Sequence, residues 1–296
     1  MPLALDKLRA VLVTGKGGVG KTTVAAALAR ASARRGRRTL CLEVIDEVGE
    51  AAPLATTFGR ALTTEEPLQV APNLYVAALS PATGHKAFLR ETLPVKMLAD
   101  AAMKSQAVRR FLHAAPTFPE LGVLYRLVDL ASATRAGPFD QVIVDLPATG
   151  HALALVEVPE AVLRIVPGGT IGQALRAGLA LLCDAEKTAA LVVTLPEPLP
   201  VSEALELAEA LEAKRVAVAG IILNRVPDDP FDDAEFELVQ SFATRPLLGN
   251  RSVHRLRKTR DARERIKISR RVIELSEHPE GDVLAKVTDE LAAGKP

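Results

Sequence analysis

Short apolar runs alternate along the chain with longer stretches whose apolar residues recur at helical spacing. The runs predict buried strands within 8–15, 37–44, 74–80, 139–151, 190–198, 216–226 and 272–282. The helical spacing predicts helices within 21–36, 201–215 and 283–293. Because strands and helices alternate, the pattern predicts an α/β fold with a doubly wound, mainly parallel sheet.

One segment, from about 85 to 136, interrupts this alternation. It has little strand character, and its apolar residues recur at helical spacing within 86–93, 95–115 and 120–135. We therefore expect a single domain over residues 1–296 with a helical subdomain inserted at about 85–136.

The first chemical motif is GKGGVGKTT, between the first predicted strand and the first predicted helix. It satisfies the phosphate-binding pattern G-x-x-x-x-G-K-[ST] in the strand–loop–helix context that the mechanism needs. Glycines let backbone amides wrap phosphate oxygens, Lys21 supplies a cation for the terminal phosphates, and the Thr22 hydroxyl suits Mg²⁺. The sequence thus predicts a P-loop NTPase fold. The expected nucleotide contacts are Gly15, Lys16, Gly17, Gly18, Val19, Gly20, Lys21, Thr22 and Thr23.

Two further motifs follow predicted strands. In IVDLPATGH (143–151), Asp145 ends an apolar run and suits Mg²⁺, acting through water; the alternative is a capping or turn aspartate. In IILNRV (221–226), Asn224 can both donate to and accept from an adenine edge, with Arg225 beside it. Asparagine also favours turns, so this motif gains its weight from its order after the other two.

Together these motifs resemble the arsenite-pump ATPase family, which includes the ATPase that guides tail-anchored membrane proteins. Partition and Min-type ATPases and the nitrogenase iron protein share the GKGGVGKTT loop. The resemblance implies ATP hydrolysis, an asparagine at the adenine, and a first loop lysine, here Lys16, that reaches across a dimer to the partner's nucleotide. It also implies a switch that senses the γ-phosphate, formed here by Pro147, Thr149, Gly150 and His151.

This chain matches the first switch of that family less closely than it matches the other motifs. The corresponding segment is EVIDEVGEAA (43–52), which lacks the family's proline-alanine-histidine run. If Glu43 is set on the family's first aspartate, Glu50 takes the position that orients the attacking water. Asp46 and Glu47 are rival candidates, and all three acids can instead be solvated loop residues.

Composition and cysteine count limit the cofactors and the location. A net charge of +1 implies no general attraction to nucleic acid, and neither a signal peptide nor a membrane-length apolar run occurs in the 296 residues. We therefore expect a cytoplasmic protein. Cys41 and Cys183 are the two cysteines and are expected to be buried, and no C-x-x-C occurs. ATP and Mg²⁺ are the expected cofactors, with no zinc and no iron–sulfur cluster.

Charge clusters and the family resemblance together define the expected partners. Residues 251–271 carry ten Lys/Arg against two Asp/Glu, near an acidic stretch, 227–237. We favour a solvated outer helix partly balanced by that stretch over contact with DNA or a membrane. The favoured hypothesis is an ATP-dependent homodimer, or a heterodimer with a related chain, that acts on an unknown protein client. A Par- or Min-type positioning ATPase and a low-turnover regulatory subunit are the alternatives.

Overall fold

The structure, a computed structural model, describes residues 5–45, 53–60, 66–79, 118–131, 139–147, 150–165, 167–242 and 249–293. Within these ranges eight strands form one sheet. In chain order they are β1 (Ala10–Gly15), β2 (Thr39–Val44), β3 (Leu68–Ala71), β4 (Leu74–Leu79), β5 (Gln141–Asp145), β6 (Thr188–Thr194), β7 (Val218–Val226) and β8 (Val272–Ser276).

The spatial order of the strands is β3-β4-β2-β5-β1-β6-β7-β8. Every neighbouring pair is parallel except β3 and β4, which form an antiparallel hairpin at one edge. Because the seven strands other than β3 are parallel, their carboxyl ends meet at one edge of the sheet. In α/β folds this edge is where ligands bind.

Nine helices lie within the described ranges. They are α1 (Lys21–Arg34), α2 (Pro53–Thr57), α3 (Phe118–Ala131), α4 (Gly150–Ile165), α5 (Gly169–Leu182), α6 (Pro198–Ala213), α7 (Asp233–Phe242), α8 (Asn250–Lys267) and α9 (Val283–Ala293).

The helices cover both faces of the sheet, and the strand pattern explains why. Side chains alternate along a strand, so Val11 and Val13 of β1 face one side while Ala10 and Leu12 face the other, and all four are buried. The core on the first side is closed by α1, α2 and α9, and the core on the second side by α3 to α6 and α8. This arrangement confirms the predicted doubly wound, mainly parallel α/β fold.

Each of the seven predicted strand segments contains a strand, and the three predicted helices are present. The sequence pattern does not predict β3, because its four residues are half-buried or exposed and form no apolar run. Of the predicted insert at about 85–136, the structure describes 118–131, which is α3. The rest of the insert lies outside the described residues, so the subdomain stays a prediction.

The two cysteines are both free thiols, and they differ in burial. Cys41 in β2 is fully buried, and burial raises its thiol pKa well above the usual value. Cys183 follows α5 and is only half-buried, with its Sγ donating to the Lys214 carbonyl at 3.6 Å. The expectation of two buried cysteines is therefore correct for Cys41 and wrong in degree for Cys183.

Candidate nucleotide-binding site

The glycine loop leaves β1 at Gly15 and enters α1 at Lys21, so it lies at the carboxyl edge of the sheet. Two positions in this loop require glycine, both because a neighbouring atom lies too close for a Cβ and because φ is positive. A Cβ on Gly15 (φ 143°) would lie 2.2 Å from the Val193 carbonyl oxygen of β6. A Cβ on Gly20 (φ 93°) would lie 2.5 Å from Nδ2 of Asn224. The loop therefore keeps its shape only with glycine at these positions.

The first turn of α1 is open to an anion. Gly20 is its N-cap residue and offers no side chain to satisfy the first backbone N–H groups. Those N–H groups and the helix dipole together favour negative charge at this point. The arrangement suits the phosphates of a nucleotide.

Lys21 provides the cation beside these amides. Its ammonium donates to the Lys16 carbonyl oxygen at 3.1 Å, which folds the side chain back over the loop. Partial burial lowers the pKa of Lys21, and the nearby Asp145 carboxylate opposes that shift. The ammonium is thus partly stripped of water and faces the position where phosphates would lie.

Thr22 and Asp145 form the second half of the cluster. The Thr22 hydroxyl donates to Oδ2 of Asp145 at 2.6 Å. Burial raises the pKa of Asp145, although the Thr22 bond and the Lys21 charge oppose the shift. Oδ1 of Asp145 is buried and has no hydrogen-bond partner within the described residues. A buried, unpartnered carboxylate oxygen next to a hydroxyl fits a hydrated Mg²⁺, which binds few protein ligands besides substrate phosphates.

We expect Asp145→Asn and Thr22→Val each to raise the Mg²⁺ concentration at half-maximal ATP hydrolysis by about 10- to 100-fold, because each removes one side of this oxygen pair. The measurement is turnover against Mg²⁺ concentration at saturating ATP. Asp261→Asn is the matched control, since Asp261 lies on the exposed face of α8. Mg²⁺ curves for both variants that superimpose on the wild-type curve would exclude a metal role for the pair.

Glu43 is a buried acid that the sequence motifs do not single out as a site residue. It lies on β2 in register with Asp145 on the adjacent β5 and is 6% exposed. Burial raises its pKa to about 7, repulsion from Asp145 adds to the shift, and a hydrogen bond from the Leu54 backbone N–H opposes it. That bond has a length of 3.1 Å and joins Glu43 to α2. α2 is thereby tied to β2 beside Asp145.

We expect the free energy of unfolding to fall as pH rises from about 4.5 to about 7, because the folded state binds the Glu43 proton more tightly than the unfolded chain does. Glu43→Gln should remove the Glu43 share of this slope and stabilise the protein at pH 8 by about 3 kcal/mol. Urea unfolding at pH 5, 6, 7 and 8 measures both effects. Glu206→Gln, on the exposed side of α6, is the control. Equal slopes for wild type and Glu43→Gln would refute the burial argument.

Lys16 makes its ion pair within its own chain. Its Nζ lies 2.8 Å from Oε1 of Glu203 on α6, and the two side chains are 44% and 35% exposed. The Lys16 side chain therefore contacts α6, whereas its carbonyl oxygen contacts Lys21. Sequence motifs contain no sign of Glu203, because it lies 187 residues away on another element.

Asn224 and Arg225 end β7 beside the glycine loop. Nδ2 of Asn224 donates to the Val19 carbonyl oxygen at 2.8 Å, so this buried side chain braces the loop. Arg225 has a positive φ of 57°, and its Nη2 lies 4.0 Å from where a Gly20 Cβ would be. The positive φ turns the chain sharply at this point. The structure thus places both residues beside the glycine loop, and their contact with a nucleoside stays a prediction.

A cavity of about 490 Å³ opens next to Arg225. It lies between the segments after β6 and β8 and one face of α8. Its lining residues are Leu195, Pro196, Glu197, Arg225, Arg251, His254, Arg255, Lys258 and Glu277. A cavity of this size holds a small organic ligand.

Several predicted site residues cannot be placed. Glu50, its rivals Asp46 and Glu47, and Thr149 lie outside the described residues. Pro147 follows β5 closely, and Gly150 and His151 form the start of α4. The described part of the predicted switch is therefore Pro147, just after β5, and the first two residues of α4.

The basic segment 251–271 carries many internal ion pairs. Arg260 pairs with Asp229 at 2.7 Å and with Asp233 at 2.8 Å, both from the acidic stretch, and Arg263 pairs with Glu274. These contacts hold α8 against the acidic stretch and β8. Within the described ranges, no helix is both long and apolar enough to cross a membrane.

In this parallel sheet, the first strand runs through a glycine loop into a helix, and Lys21, Thr22 and Asp145 cluster at that loop. This arrangement defines a P-loop NTPase. A family model for anion-transporting ATPases matches residues 8–167, more than half of the chain. The chain belongs to this family and is an ATPase, which confirms the predicted family and activity.

Three relatives show how the similarity is distributed. ATPase BagA of Mycobacterium tuberculosis is 31% identical over 76% of this chain and 67% of its own length. An arsenical pump-driving ATPase of Escherichia coli is 31% identical over 72% of this chain and 34% of its own length. The ATPase ASNA1 homolog of Trypanosoma cruzi is 26% identical over 78% of this chain and 77% of its own length.

Proposed function

We propose that this ATPase works as an ATP-dependent dimer, of two identical or two related chains, that couples Mg²⁺-ATP hydrolysis to the handling of a protein client. One observation carries the dimer. The Lys16 ammonium is paired with Glu203, whereas Lys21, Thr22 and Asp145 form a contiguous cluster around the predicted phosphate position. In this proposal one chain supplies the groups that bind Mg²⁺-ATP, and it holds its second loop lysine, Lys16, against α6.

Each residue near the loop has a role in this proposal. Loop amides and Lys21 hold the phosphates, Thr22 and Asp145 hold Mg²⁺, and the cavity beside Arg225 takes the nucleoside. The metal, when bound, neutralises charge that develops on the phosphates. Glu50 orients the attacking water, with Asp46 and Glu47 as the rival candidates. Lys16 of one chain adds positive charge at the phosphates of the other.

The route from the phosphates to the client runs through α4. This helix begins at Gly150, five residues after Asp145, in the predicted switch. It packs against α3 and α5, and α3 is the described part of the predicted insert. α3 and α5 approach closely, since a Cβ on Gly178 would lie 2.8 Å from Leu124. A displacement of α4 would therefore move α3, which supports the insert at about 85–136 as the client-handling part.

The Par- or Min-type alternative, with DNA or membrane contact through 251–271, is less favoured. Arg255, Arg260 and Arg263 are each paired with acids of the same chain. Cations already paired in this way gain less from an external polyanion. Cosedimentation with liposomes or DNA, with and without ATP, separates this alternative from the client hypothesis, because only the alternative requires ATP-dependent pelleting.

The dimer is tested by mixing two inactive variants. Lys16→Ala protein lacks the incoming cation, and Asp145→Ala protein lacks the metal carboxylate. In a mixed dimer, Lys16 of the second chain serves the intact site of the first, so we expect part of the activity to return. Wild-type specific activity should also rise with protein concentration, and sedimentation should show a dimer only with an ATP analogue. Constant specific activity and no recovery on mixing would overturn the proposal.

A further inference from the structure

The contact between Lys16 and Glu203 joins the glycine loop to α6. Nζ and Oε1 are 2.8 Å apart, and both side chains are more than one-third exposed. The Lys16 carbonyl oxygen simultaneously accepts from Lys21 at 3.1 Å. The side chain of Lys16 is therefore held on one side by α6, and its backbone on the other by the phosphate lysine.

Glu203 is fixed in place by the packing of its helix. Its neighbours Val201 and Ala204 are 0% and 4% exposed and belong to the core against β6. The α6 backbone at Glu203 is thus fixed and one of its carboxylate oxygens is buried, whereas Lys16 has a long, flexible side chain and belongs to a loop of glycines. Of the two partners, Lys16 is the one that can leave.

The carboxylate of Glu203 is only half satisfied. Oε1 accepts from Lys16, but Oε2 is buried and has no hydrogen-bond partner within the described residues. A buried acceptor without a donor costs free energy, so this ion pair contributes little to the stability of the fold. A pair that adds little stability and engages a loop lysine of the nucleotide site is better explained by control of that lysine.

We propose that Glu203 is a positioning residue that retains the Lys16 ammonium in its own chain until a nucleotide-loaded partner presents its phosphates. The proposal rests on the dimeric function given above. A triphosphate carries more negative charge than one carboxylate, so Lys16 exchanges Glu203 for phosphate when both are within reach. The ion pair then favours the single chain and makes dimer closure depend on bound nucleotide.

The test is Glu203→Gln, compared with Glu206→Gln on the exposed side of the same helix. Removing the charge weakens two such pairs for each dimer. We expect the protein concentration at half-maximal specific activity to fall by about threefold to tenfold, with kcat at saturating protein unchanged. Sedimentation with an ATP analogue should show the same shift without relying on turnover. Glu206→Gln should match wild type, and thermal unfolding confirms that both variants fold.

A double variant shows whether the effect runs through Lys16. In a Lys16→Ala background, Glu203→Gln should not change the dimer equilibrium any further. A shift that persists without Lys16 would overturn the proposal, and so would a lower kcat at saturating protein. If mixing restores activity but Glu203→Gln behaves as wild type, the retention role fails alone. If mixing restores nothing and activity is independent of concentration, the dimeric function fails and the retention role fails with it.

Discussion

Lys21→Ala is expected to lower ATP affinity by about 10²- to 10⁴-fold, which puts binding below detection by calorimetry at ordinary protein concentrations. The ammonium is the cation that the chain itself places over the loop, 3.1 Å from the Lys16 carbonyl oxygen. Charge-assisted bonds from such a lysine to phosphate oxygens are among the stronger single contacts that a binding site makes. The remaining amides and the dipole of α1 cannot replace a full charge.

The control for this experiment is Lys7→Ala, which removes an exposed lysine ahead of β1. It should leave the affinity unchanged and show that a change of net charge is not the cause. Affinity for ATP in Lys21→Ala within threefold of wild type would remove the loop assignment.

Lys16→Ala is expected to leave ATP binding nearly intact and to lower turnover by about 10³-fold. Binding depends on amides, Lys21 and Mg²⁺, all of which one chain supplies, whereas hydrolysis needs extra positive charge where it develops on the phosphates. In the structure the Lys16 ammonium pairs with Glu203 at 2.8 Å, so its removal should cost little of the free energy of ATP binding. Calorimetry and steady-state turnover on the same preparation separate the two effects.

Lys187→Ala is a matched control, because Lys187 also pairs with an acid, Asp184 at 2.6 Å, on the surface. It should change neither affinity nor turnover. A parallel loss of affinity and turnover in Lys16→Ala would mean that this lysine acts as a second binding cation within its own chain.

The sequence alone determined the fold class, because its signals are local. Alternation of apolar runs with helical spacing reports which residues face a core, and β1, β2, β5, β6 and β7 all lie where that pattern predicts them. The glycine loop with Lys21 and Thr22 is likewise contiguous in sequence, so its chemistry could be predicted before any contact was known. Asp145 could be assigned because a carboxylate at the end of a buried strand reaches the same edge of the sheet.

Only the tertiary structure decided how distant residues meet. Strand order places β6 beside β1 and β7 beside β6. That order brings Asn224 to Val19 and Glu203 to Lys16, although neither pair is marked by any spacing along the chain. Glu43 lies buried beside Asp145 because β2 is next to β5 and pairs the two residues in register. Periodicity fixes which face a side chain takes but carries no information about which strand is its neighbour. The contacts that hold the loop, shift the Glu43 pKa and retain Lys16 therefore follow from sheet topology.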